Sequence, residues 1–113
     1  MKQPARGEVW TAELEPVKGH EQGGRRPVLV VSSDTYNSGP AELVVVIPLT
    51  KTNRNIPLHV LTTPPEGGLR VPSSALCDAI RSVSKARIDK RWGWVTPETM
   101  NEIDRRIRIL LEL

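Results

Sequence analysis

Apolar and polar residues alternate along "GEVWTAEL", residues 7–14, and this period of two puts Trp10, Ala12 and Leu14 on one side of an extended strand. A β-branched run follows at 26–33, "RPVLVVSS", with Pro27 near its start, where a missing N–H is tolerated. "SDTYNSGP" then breaks the pattern as a turn. A third strand, "ELVVVIPL" at 42–49, runs into the polar loop "TKTNRN", and a fourth, "IPLHVLT" at 56–62, ends at the turn-rich "TPPEGG". The pattern predicts one or two further strands in "LRVPS" and "ALCDAIRSV", a helical turn at 84–88, and a last strand at 91–95, "RWGWV".

From residue 96 the period changes. Met100, Ile103, Ile107, Leu110 and Leu111 recur at helical spacing. Thr96 is placed to cap this helix, Pro97 to occupy its first position, and Glu98 to put negative charge in its first turn. Five to seven short strands and one amphipathic C-terminal helix predict a mainly β fold: a small, strongly bent sheet or partial barrel.

The 113 residues form one domain, 1–113, with no room for a second core. Three Trp, one Tyr and no Phe leave the core to Val, Leu and Ile. Trp92 and Trp94, two apart on one strand face, could stack on bases, but in so aromatic-poor a chain they are expected to pack beneath the helix, and Trp10 in the core or a dimer interface. The single cysteine, Cys77, excludes an internal disulfide, fits a reducing cytoplasm, and reads as a small buried core residue. The apolar runs are too short for a membrane span, and "MKQPARGEVW" has no apolar run, so neither membrane association nor a signal peptide is expected.

Sixteen Lys plus Arg against thirteen Asp plus Glu give a net charge of +3, which permits a polyanionic partner without requiring one. The basic residues gather in "GGRRP", "TKTNRN", "SKARIDKRW" and "DRRIRI", the last read as a solvated helix face. His20 and His59 are far apart, and no Cys/His or Asp/Glu set has ligand spacing, so no metal or cofactor is expected. Phosphate-cradling and nucleophile-elbow motifs are absent from the sequence.

Two polar loops remain, one with Glu21, Gln22, Arg25 and Arg26, the other with Thr50, Lys51, Thr52 and Arg54. If the second and third strands pair antiparallel, Arg26 at the start of one meets Thr50 at the end of the other. A guanidinium and a hydroxyl converging there match a phosphodiester. A surface ion pair of Arg26 with Glu21 or Glu42 is the other reading the residues allow.

The segments "RGEVWTAELEPVKGHEQGGRRPVLVVSSDTYN", "VVVIPLTK", "IPLHV" and "AIRSVSKARI" resemble the MazF/PemK toxins of bacterial toxin–antitoxin systems, over essentially the whole chain. The most specific portion is G-x-E-Q-G-G-x-R-P-V at 19–28. This resemblance implies a small SH3-like barrel that forms homodimers, and a metal-independent endoribonuclease that cuts single-stranded mRNA at specific sequences. It implies 2′,3′-cyclic phosphate and 5′-hydroxyl ends, and a cognate antitoxin whose acidic C-terminal tail covers the RNA site. A non-catalytic gyrase-poisoning toxin of the same superfamily and an SH3-like nucleic-acid-binding module are the alternatives.

Carried over by position, the resemblance makes Arg26 the catalytic acid/base and phosphate ligand and Thr50, or Thr52 if the strand ends later, the steadying hydroxyl. Glu21 is implicated in activity, and His20, standing where a small hydroxyl residue is more usual, is a further proton carrier or an exposed loop residue. Gln22, Arg25, Asn37, Lys51, Arg54 and Arg81 are the expected RNA contacts. Arg81, inside an apparent strand, must find either Asp78 or a phosphate.

Overall fold

The computed structural model describes residues 3–15, 19 and 23–113. Seven strands run in the order β1 (Glu8–Glu13), β2 (Arg25–Val30), β3 (Leu43–Thr50), β4 (His59–Thr62), β5 (Ser73–Leu76), β6 (Arg81–Ser84) and β7 (Ile88–Trp94). The turn expected at 33–40 contains a one-turn helix, α1 (Asp34–Asn37), capped by the Ser33 hydroxyl, which accepts from the Tyr36 N–H. The C-terminal helix, α2 (Pro97–Leu111), begins as the sequence predicts: Thr96 Oγ1 accepts from the Thr99 N–H and Pro97 opens the first turn.

All strand pairs are antiparallel, and the sheet runs β4-β5-β3-β2-β1-β7, with β6 also on β3. The fold is mainly β with a terminal helix, as expected. The sheet stays open, because β4 and β7 end the path and do not pair with each other, so it is a bent sheet rather than a closed barrel.

Strand β3 organises the molecule. One edge pairs with β2 and the other is shared: Leu43–Val46 pair with β6, and Leu49 and Thr50 pair with β5. A short 3₁₀ turn, Cys77–Ala79, separates the two partners. The stretch "ALCDAIRSV" is therefore two strands with a break, and the break bends the sheet.

Alternation along β1, β2 and β3 supplies a core on each face. Val9, Leu29, Ile47 and Leu49 pack beneath Ile103 of α2, with Met100 and Ile107 against them. Trp10, Ala12, Leu14, Val28, Val30, Val44 and Val46 pack on the other face with Val83 and Ile88. Trp10 is thus a core residue, its indole N–H donating to Glu8 Oε1 at 3.0 Å. Cys77 is fully buried, and burial pushes its thiol up to about 11.

Trp92 and Trp94 are not beneath the helix; they are 39% and 68% exposed. The reason is a close backbone approach. A Cβ on Gly68 would lie 2.3 Å from the Trp92 carbonyl oxygen, and one on Gly93 would lie 3.0 Å from the Gly68 nitrogen. Backbone fills the inner side of β7 there, leaving no space for an indole, and alternation sends both rings outward. Gly68 also has φ +72°, where a side chain is strained.

Candidate functional site

Pairing of Val28 with Pro48 and Val30 with Val46, carried to the strand ends, sets Arg26 opposite Thr50. The structure brings these two together. Arg26 is half-buried and its Nε–H donates to the Gly23 carbonyl at 2.9 Å, which holds the guanidinium at the rim. Thr50 Oγ1 accepts from the Thr52 N–H at 3.3 Å, fixing the turn out of β3. Thr50 is half-buried on the strand and Thr52 exposed beyond it.

Two hollows meet at this pair. The larger, about 710 Å³, includes Arg26, Thr50, Arg54, His59, Asp78 and Arg81 in its lining. The smaller, about 400 Å³, also takes in Arg26, Thr50 and Thr52 and adds Arg25, Lys51 and Arg70. Cationic side chains thus join a hydroxyl and a guanidinium in both hollows, a surface suited to a phosphodiester chain.

The strand break after β5 is what carries Asp78 and Arg81 to the larger cleft. Asp78 Oδ1 accepts from His59 Nε2 at 2.9 Å, and the His59 side chain is only 9% exposed. Neither His59 Nδ1 nor one terminal nitrogen of Arg81 has a hydrogen-bond partner, though both atoms are buried. Among the described residues the ion-pair partner of Asp78 is His59, not Arg81. The His59 and Arg81 side chains both line the larger cleft, while these two atoms themselves are shielded from solvent and leave hydrogen-bond capacity unused.

Sequence reasoning missed His59 and its tie to Asp78. Its signal was present as a polar residue inside an apolar strand, but the pairing of β4 with β5, which sets His59 against Leu76, was not legible.

Of the other expected RNA contacts, Lys51 and Arg54 are exposed in the loop between β3 and β4. Arg25 is exposed and forms an ion pair with Asp89. Asn37 is a correction: it is fully buried, its Nδ2 donates to the Ser32 carbonyl at 3.0 Å, and its Oδ1 accepts from the Ser32 hydroxyl. The same hydroxyl accepts from the Val45 N–H at 3.0 Å, so Asn37 ties α1 to β3 and touches neither cleft. Glu21, Gln22 and His20 lie outside the described residues. Arg106 is not merely solvated either. Its Nε–H donates to the Pro57 carbonyl at 2.9 Å, so α2 holds the end of the loop that carries Lys51 and Arg54.

Among the described residues no three His, Cys, Asp or Glu side chains gather as a metal-binding group, and no helix is long and apolar enough to cross a membrane.

Known proteins share this arrangement of strands. MazF from Deinococcus radiodurans is 29% identical, with a TM-score of 0.89 over the whole of both chains. A mycobacterial endoribonuclease is 30% identical, with a TM-score of 0.80 over all of this chain and 95% of that one. A mycobacterial endoribonuclease in complex with its cognate antitoxin is 28% identical, with a TM-score of 0.78 over all of this chain and 97% of that one. The family model for the PemK-like, MazF-like toxin of type II toxin-antitoxin systems matches residues 5–111. The chain belongs to that family of toxins.

Proposed function

We propose that this toxin is a sequence-specific endoribonuclease that cuts single-stranded mRNA in the cytoplasm, as a homodimer, and is held inactive by an antitoxin with an acidic tail. The observation that carries this reading is that Arg26 and Thr50 together line two clefts that also carry further cationic side chains. The likeness to endoribonucleases, one of them bound to its cognate antitoxin, supports it.

RNA brings its own nucleophile, so the chemistry needs neither an activated water nor a metal. The 2′-oxygen bonds to phosphorus as its proton passes to a base, and the P–O5′ bond breaks as the 5′-oxygen takes up a proton. The products are a 2′,3′-cyclic phosphate and a 5′-hydroxyl. The protein's task is to align the attack, move two protons and stabilise charge on the phosphoryl oxygens.

Arg26 supplies two parallel N–H donors to those oxygens and Thr50 a third. A guanidinium presents N–H donors and no acceptor, so Arg26 serves as clamp and proton donor rather than as base. Glu21 is the proton acceptor the loop motif offers, and His59, steadied by Asp78, is the second candidate. Single-turnover rates separate them: the variant that removes the true base, Glu21→Gln or His59→Gln, is the one that loses cleavage while RNA binding persists. An acidic tail suits the same clefts as RNA does, which is why one surface serves both partners.

Incubating the purified chain with a total transcript pool in chelator should give discrete fragments ending in cyclic phosphate. RNA left intact, or bound without scission, contradicts the proposal.

A further inference from the structure

A phosphodiester held by Arg26 and Thr50 has a nucleoside on either side, and Arg26 and Thr50 line two clefts in common. Their chemistry differs. The larger holds His59, Asp78 and Arg81, while the smaller is lined by Pro27, Leu49, Leu69 and Trp92 together with Lys51 and Arg70.

Trp92 is unusually well prepared for an apolar guest. Its indole N–H already donates to Thr11 Oγ1 at 2.6 Å, so the polar edge of the ring is satisfied and the ring is oriented. Its backbone is fixed against Gly68. Trp92 is 39% exposed as a residue and lines the same cleft as Arg26 and Thr50. A nucleobase is flat and apolar on its faces and is joined to phosphate on both sides. Apolar lining, one oriented ring and cations in the same cleft match that combination.

We propose that the smaller cleft is a nucleobase subsite, in which the base next to the scissile phosphate stacks on Trp92 while Lys51 and Arg70 hold the adjoining phosphate. Trp92 is then a specificity-determining residue, and the base it receives contributes to the choice of cut site. This inference rests on the ribonuclease reading above.

The test begins with the cleavage map of the wild-type chain. Short oligoribonucleotides spanning a mapped site are then made with an abasic ribose immediately before or immediately after the cut. Wild-type protein should bind one of the two about 5- to 150-fold more weakly than the intact oligomer, the range base–aromatic stacking spans. Trp92→Leu should bind the intact oligomer correspondingly more weakly and no longer distinguish the abasic one. Trp92→Phe, which keeps a ring, should restore most of the discrimination, and Trp94→Leu, outside the cleft, should leave the map and the affinity unchanged.

Thermal melting of each variant separates loss of folding from loss of stacking. If the wild-type chain leaves RNA uncut, the ribonuclease reading falls and the subsite with it. If the wild type cuts but Trp92→Leu retains the full abasic penalty and the same map, the subsite alone is overturned.

Discussion

The turn that carries α1 and the cleft beside β6 both bury polar side chains, and they treat them in opposite ways. Around α1, Asn37, Ser32 and the Val45 N–H satisfy one another. At the cleft, His59 is tied to Asp78 by one nitrogen and leaves the other unpartnered, as Arg81 leaves one of its own. Two of the three buried side-chain atoms without partners among the described residues thus belong to cleft residues, the third being Thr62 Oγ1. The first is a closed hydrogen-bond network, whereas the second leaves buried hydrogen-bond capacity unfilled in residues that line a cleft. Sequence position alone made Asn37 and Arg81 look alike.

Variants at these residues break or sharpen that contrast. The largest effect is expected at the Arg26–Thr50 pair. Arg26→Ala should slow single-turnover RNA cleavage by about two to three decades, the usual loss for one donor to developing charge, roughly 3–4 kcal/mol. Thermal unfolding should show an intact fold. Next, Asn37→Ala should destabilise the chain by about 1–3 kcal/mol in denaturant titration, because it strands the Ser32 groups, while RNA affinity per folded molecule stays unchanged. Arg81→Met should do the reverse: RNA affinity drops roughly tenfold, the scale of a charge-assisted contact, and stability is unchanged or slightly raised. Loss of stability in Arg81→Met with full affinity would erase the distinction between the two regions.

The smallest effect concerns Glu66, whose carboxylate caps the start of α2. Burial pushes its pKa up, but hydrogen bonds from Thr99 and from the backbone and hydroxyl of Thr96 outweigh this and hold it below the ordinary 4.5. A depressed folded pKa adds stability above the unfolded value, and that stability is lost as pH falls through the folded one. Melting temperature should therefore decline below about pH 4.5 in the wild type, and Glu66→Gln should decline less over the same window.

How much of this was legible in the sequence follows from what each residue depends on. The strands β1 to β3 and the helix α2 were readable because alternation, Pro97 and Thr96 act locally. The meeting of Arg26 with Thr50 was readable because it needs only that adjacent strands pair antiparallel. The break at Cys77–Ala79 was not: it arises where β3 changes partners, a non-local event. The same applies to His59, brought to the cleft by β5. The outward placement of Trp92 and Trp94 was hidden because the Gly67–Gly68 turn that displaces them is distant in sequence. Asn37 looked like a loop polar group, and only the Ser32 hydroxyl shows why it is inside.

The central claim is that Arg26 and Thr50 grip one phosphate together. A double-mutant cycle on single-turnover cleavage of one oligoribonucleotide, with Arg26→Ala, Thr50→Val and the pair, tests it most directly. Joint action predicts that the double variant is hardly slower than Arg26→Ala alone. Losses that multiply as if the two side chains were independent would contradict it.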